Sequence, residues 1–289
     1  MEKEGIVSSR SDRDLKKKVI SPGDFTLVPY EDSRCKIVLS NVTCNSPVGK
    51  SEIETESRIF SKDFDGNVLI GDTDYYIDKD FELILQQMCC GEICEASLLY
   101  RDHDGALMKE ITCRIELKEV TEEQLVSDWS WERLFESATH HKECGVLLVK
   151  QKRLTDAFRR FSKALKFLIA IEPIDPEVLK EENIKDIIDL KVKLYNNLAH
   201  LQLQYNEYEP ALELCNRALQ YDPENPKALY RRCTAHIGLQ LYEEAWTDIQ
   251  HALKLDPSDK AALNKANSLR PIIEKINKNY SDVIKKMFG

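Results

Sequence analysis

Between residues 192 and 259 the chain repeats itself every 34 positions. Ala211, Ala218 and Pro223 return as Ala245, Ala252 and Pro257, and Tyr208 and Glu209 return as Tyr242 and Glu243. Alanines at this spacing let two helices approach closely. Each Asp-Pro then ends the second helix, because proline lacks a backbone donor and disfavours helical backbone in the residue before it. A single helical hairpin cannot bury its own apolar face, so consecutive hairpins must stack. The period therefore commits this half of the chain to an array of paired helices.

A 34-residue helix-turn-helix unit is the tetratricopeptide repeat. A less regular unit precedes the two clear ones, with Gly145, Ala157, Phe161 and Ala164 at the small and aromatic positions. Ala157 to Ala211 is one period plus a 20-residue insertion, IEPIDPEVLKEENIKDIIDL, expected to give the first hairpin a long second helix and loop. The domain is expected over 121–270, with repeats at about 138–171, 192–225 and 226–259. A last helix over 271–289, striped by Ile272, Ile273, Ile276, Tyr280, Val283, Ile284 and Met287, is expected to cap the final repeat.

The N-terminal part differs in kind. Residues 1–15 are polar without apolar periodicity and read as a flexible leader. Over 16–120, the segments 35–43, 67–71, 92–100 and 111–120 are short, β-branched and partly alternating, which predicts strands. Between them Asp80 to Met88 places Phe81, Leu85 and Met88 on one helical stripe behind an aspartate cap. The expected fold is α+β, an antiparallel sheet around one helix, followed by an all-α tetratricopeptide superhelix.

Composition narrows the partners. The 289 residues carry a net charge of −9, which argues against nucleic acid. No run has the length of a membrane span and the start is charged where a secretory signal is apolar, so a cytoplasmic protein is expected, with the nucleus left open. Nine cysteines without framework spacing fit reduced thiols. His140, His141 and Cys144 do not converge as metal ligands, nor do Cys89, Cys90 and Cys94, and no metal or cofactor is implied.

In the helical half KLYNNLAHLQLQ, EYEPALELCNRAL and NPKALYRR, and in the first half ISPGD, NVLIG, CGEICEASL and TCRIELKEV in order, resemble the tacrolimus-binding immunophilins that carry a tetratricopeptide domain, over roughly residues 15–289. That resemblance implies prolyl-isomerase-type co-chaperones whose repeats bind the acidic Glu-Glu-Val-Asp tail of heat-shock chaperones. In register, the clamp falls on Lys142, Asn197, Lys227 and Arg231, with Val146 where the family carries a polar residue. A neutral amide contact is worth about 1 kcal/mol, so its loss at Val146 should weaken the clamp by roughly tenfold without abolishing it. The alternative is that these are solvated charges and a packing amide.

The same resemblance implies an aromatic bowl for proline, and here it is dismantled. The strand tyrosine becomes Leu39, the valine-isoleucine pair Ile77 and Asp78, the tryptophan platform Phe81, the loop tyrosine Asp104 and the closing phenylalanine Cys113. The flap after Gly105 is short, and no tryptophan precedes Trp129. Asp65 is the candidate for the family's pocket acid, at a spacing to Gly71 shorter than the family's. An uncompensated carboxylate in an apolar floor costs several kcal/mol, so Asp78 is expected to face water. The reading is a non-catalytic adaptor, with a client protein for which the family's kinases are the precedent. A reduced but active isomerase and a scaffold that leaves the clamp unused stand as alternatives. The basic final helix also raises calmodulin, a ligand of relatives.

Overall fold

A computed structural model describes residues 5–45, 56–60, 64–121, 126–174 and 179–288. The chain divides into two compact units between Gln124 and Leu125.

The first unit is a six-stranded antiparallel sheet in the order β1-β2-β5-β6-β3-β4. Its strands are β1 (Gly5–Ser9), β2 (Arg13–Ser21), β3 (Arg34–Asn45), β4 (Phe64–Leu69), β5 (Ile93–Arg101) and β6 (Leu107–Thr121). Successive side chains of a strand point to opposite faces. Accordingly Cys35, Ile37 and Leu39 of β3, Cys94, Ala96 and Leu98 of β5, and Ile111, Cys113, Ile115 and Leu117 of β6 are all buried on one face. That face packs with Ile77, Phe81, Ile84 and Leu85 of the helix α1 (Tyr76–Leu85) in one apolar core.

Two expectations are corrected here. Among the described residues of the supposed leader, 5–9 form strand β1 and 13–15 open strand β2, with Leu15 fully buried. The polar composition of this stretch concealed ion pairs: Arg13 Nε lies 3.0 Å from Asp80 and, just beyond the supposed leader, the half-buried Lys17 Nζ lies 2.8 Å from Glu92. Asp80 for its part is not a helix cap. The helix starts four residues earlier, and the Asp80 carboxylate accepts a 3.1 Å bond from Tyr100 besides the Arg13 pair.

The second unit is helical: α2 (Trp131–Lys150), α3 (Leu154–Ala170), α4 (Glu181–Gln204), α5 (Tyr208–Tyr221), α6 (Pro226–Gly238), α7 (Tyr242–Leu255) and α8 (Lys260–Phe288). They pair as α2/α3, α4/α5 and α6/α7, and the first helices of the hairpins touch in succession, α2 to α4 and α4 to α6. The repeated alanines are buried, and Asp222 and Asp256 adopt the same extended backbone (φ −134° and −135°) ahead of their prolines. Each hairpin turn carries one left-handed residue, Lys152, Asn206 and Gln240 (φ 61°, 59° and 62°).

The insertion does not lengthen the second helix of the first hairpin. That helix, α3, has 17 residues, whereas α4 has 24, so the extra residues extend the first helix of the second repeat. Trp129 packs under the first hairpin, stacked on Phe167 at 5.6 Å. The capping expectation also shifts. Ala262, Ala266 and Leu269 of α8 are buried against Cys233, Ala245 and Ile249, and Ile273 is buried one turn further along. Beyond them Tyr280, Val283, Ile284 and Met287 are exposed. Capping is thus the work of residues 260–273, and the helix runs on through Pro271. Among the described residues no helix is long and apolar enough to cross a membrane.

Candidate functional site

The first face is the line of helices α2, α4 and α6. Lys142 stands half-buried on α2, Asn197 half-buried on α4, and Lys227 exposed in the first turn of α6 with Arg231 one turn further. Val146, one turn after Lys142, packs against the apolar core of the first hairpin.

Helix α6 is set by its sequence: Asn225 is the cap, its Oδ1 accepting from the Ala228 amide at 3.0 Å, and Pro226 takes the first helical position, where no donor is needed. Arg231 lies in the second turn of this helix. Its Nη1 donates to Oδ1 of Asn196 at 3.1 Å, so the guanidinium reaches across to α4 beside Asn197. No carboxylate among the described residues forms an ion pair with Arg231. Burial draws this guanidinium below its ordinary value.

Two residues of this face were not singled out from the sequence. Asn196 is buried and is the actual partner of Arg231. His200 follows Asn197 by three positions, one turn along α4, and burial, then the Arg231 charge, pulls its imidazole below the usual histidine value. The helical spacing from Asn197 is the signal that could have marked His200; nothing in the sequence marks Asn196.

The second face is where the resemblance places a proline bowl. Leu39, Ile77, Phe81 and Cys113 lie together, each at most 3% exposed, inside the core of the first unit. Asp104 is apart from them, exposed in the turn between β5 and β6, where Asp102 Oδ1 accepts from the Asp104 and Ala106 amides at 3.0 and 2.8 Å. Asp65 is exposed on edge strand β4, with Lys118 Nζ 3.9 Å away.

Asp78 corrects the sequence reading. It does not face water; it is 1% exposed, and Ser57 Oγ and the Arg58 amide (2.9 Å) donate to its carboxylate. Burial still pushes the Asp78 carboxyl above the usual range, against the pull of these bonds. Ser57 Oγ in turn accepts from the Ile59 and Phe60 amides at 3.1 and 2.9 Å. The short segment so held buries Ile59 and Phe60 in the same core, Phe60 edge-on to Phe81. Of the positions that the resemblance assigns to the bowl, Phe81 is covered by the chain's own Phe60. Nearby thiols are withdrawn as well, burial holding Cys94 at about 12.

Comparison with known proteins agrees with this architecture. Residues 9–122 match the family described as BDBT FKBP like N-terminal, and residues 192–225 match the tetratricopeptide repeat. The chain thus carries an FKBP-like N-terminal domain followed by a tetratricopeptide repeat. It is 28% identical over 182 residues to the peptidyl-prolyl cis-trans isomerase FKBP4 of Bos taurus, covering 62% of this chain and 39% of that protein. It is 28% identical over 212 residues to the human FK506-binding protein-like protein, covering 72% of this chain and 54% of that one. The chain therefore spans about half or less of the length of these relatives. The crystal structure of residues 1–211 of CG17282 is similar at 25% identity with a TM-score of 0.53, covering 70% of this chain and 95% of that one.

Proposed function

We propose that this protein is a non-catalytic co-chaperone adaptor whose repeat domain binds the acidic C-terminal tail of a heat-shock chaperone while another surface engages a client, a kinase being the client class expected. The observation that carries the reading is the Arg231 guanidinium, held across the α4–α6 approach with no carboxylate ion partner among the described residues. Lys227 adds a second cation at the positive end of the α6 dipole, where an anion is favoured and a lysine is not. Two cations one turn apart, beside Asn197, suit a peptide that ends in carboxylates. A charge-assisted hydrogen bond of this kind contributes about 1.5–3 kcal/mol, against about 1 for the amide contact forgone at Val146.

The loss of catalysis rests on the first unit. Rotation about a peptide bond has a barrier of about 18–20 kcal/mol, and lowering it requires a cleft that receives the twisted amide. Ile59 and Phe60 are buried in the same core as the positions the resemblance assigns to that cleft, with Phe60 edge-on to Phe81, and the Asp78 carboxylate latches their segment through Ser57 and Arg58.

A fluorescent pentapeptide ending in Glu-Glu-Val-Asp should bind with a micromolar dissociation constant, and Lys227→Ala combined with Arg231→Ala should remove the binding. Absence of binding by the wild type favours a scaffold that leaves the clamp unused. In a protease-coupled proline isomerisation assay the protein should show no turnover. Turnover at the level of active immunophilins would defeat the non-catalytic reading and leave the reduced isomerase. Calmodulin binding to the exposed half of α8 is a lesser expectation, checked by calcium-dependent gel filtration.

A further inference from the structure

We propose that Asn196 is the positioning residue of the acidic-peptide site, holding the Arg231 guanidinium in the groove and tying it to the cap of α6. The inference rests on the adaptor reading and adds to it a residue that contacts no peptide.

The argument is one of donors and acceptors. A guanidinium has only donors, so the Asn196 amide must turn its oxygen towards Arg231, at 3.1 Å. That leaves Nδ2 facing the other way, where it donates to Asn225 Oδ1 at 3.3 Å. The same Asn225 oxygen accepts the Ala228 amide at 3.0 Å, while Asn225 Nδ2 donates to Asp222 Oδ2 at 2.9 Å. A backbone donor at one end and a guanidinium at the other therefore fix the direction of every bond between them. The run links the end of α5, the cap of α6, the middle of α4 and Arg231.

Asn196 is 5% exposed, so its amide is committed to this network rather than to water. Its neutrality matters as much as its place. A carboxylate there would hold Arg231 equally well but cancel the charge the peptide needs, and an alkyl group would release the side chain to several rotamers that binding must then freeze out. The amide alone orders the guanidinium and leaves its charge available.

The test uses the full chain, the same labelled pentapeptide, and Asn196→Ala and Asn196→Asp. Each is expected to weaken peptide binding at least fivefold, and Asn196→Asp to do so although it retains a hydrogen-bond partner for Arg231. In an Arg231→Ala background the Asn196 substitutions should have no further effect on affinity. In the free protein, relaxation of the Arg231 Nε–H signal should report an ordered side chain in the wild type and a mobile one in Asn196→Ala. If the affinity stays within twofold, or falls by the same factor with Arg231 absent, or the Arg231 signal keeps its order, the positioning role is overturned. No binding by the wild type itself sinks the acidic-tail reading, and with it the purpose given to Asn196.

Discussion

The ring of Phe60 meets the ring of Phe81 edge-on, with centroids 5.2 Å apart and planes at 83°. The resemblance read from the sequence assigns Phe81 to the platform beneath a bound proline, and the ring packed on Phe81 here is the chain's own Phe60. Both side chains are buried. Removing a buried phenylalanine ring costs about 3–5 kcal/mol in lost transfer energy and cavity formation. Phe60→Ala should lose that much in urea unfolding and still show no isomerase turnover, because Asp78 and Phe81 remain. A loss below about 1 kcal/mol would mean that Phe60 does not seal this core.

The latch under Phe60 predicts a dependence on pH. Burial makes the Asp78 carboxyl hold its proton to a higher pH folded than unfolded. Its contribution to stability is therefore present below the unfolded value of 3.8 and is lost as pH rises through the higher folded value. Asparagine is neutral throughout. Measured from acid to neutral pH, the wild type should lose stability relative to Asp78→Asn as pH rises. A difference that does not change with pH would show that the charged carboxylate is accommodated as well in the core as in water.

The hairpin turns offer a gain. Lys152 and Gln240 hold left-handed backbone (φ 61° and 62°), which strains a residue bearing a Cβ by about 1–2 kcal/mol, whereas asparagine at the equivalent position 206 tolerates it better. Glycine at 152 or 240 should therefore raise stability by about 1 kcal/mol after its extra freedom in the unfolded chain is counted. Asn206→Gly should change little. Thermal unfolding of the three variants checks the order, and equal effects at all three would contradict it.

Gly238 ends α6 under the Tyr208 ring: a Cβ there would fall 2.3 Å from Tyr208 Cδ1. Helix propensity alone favours alanine over glycine by about 1 kcal/mol. Gly238→Ala should nonetheless destabilise by about 1–3 kcal/mol, the usual range for overpacking. In a Tyr208→Ala background the same substitution should become neutral or stabilising. If the sign does not change between backgrounds, the ring is not what excludes the methyl group.

What could be read from the sequence follows the range of the forces involved. The repeat was legible because Ala211 with Ala245, and Ala218 with Ala252, report a close backbone approach within one hairpin and its copy. Strands β3 to β6 showed through their alternation. The first two strands did not, because the burial of Arg13 and Lys17 depends on Asp80 and on Glu92, 75 residues after Lys17. Asp78 was misread for the same reason: its donors Ser57 and Arg58 precede it by 21 and 20 residues, and a carboxylate without visible donors reads as solvent-facing. On the groove, the spacing of Lys227 and Arg231 put both on one helix. The partner of Arg231 is Asn196, 35 residues earlier, and it is set only by how α4 and α6 approach.

The last helix separates packing from mere amphipathic pattern. Its apolar spacing runs without a break from Ala262 to Met287, yet Ala262, Ala266, Leu269 and Ile273 are buried while Tyr280, Val283 and Met287 are exposed. Only the first set contributes side chains, Ala262, Ala266 and Leu269, to the core shared with α6 and α7. Truncation after Asn277 should therefore leave the unfolding midpoint of the repeat domain within error of the full chain, since exposed residues away from contacts change stability by no more than about 0.5 kcal/mol. Leu269→Ala, by contrast, should cost about 2–5 kcal/mol. A truncation as damaging as Leu269→Ala would mean that the distal stripe packs against the protein in solution.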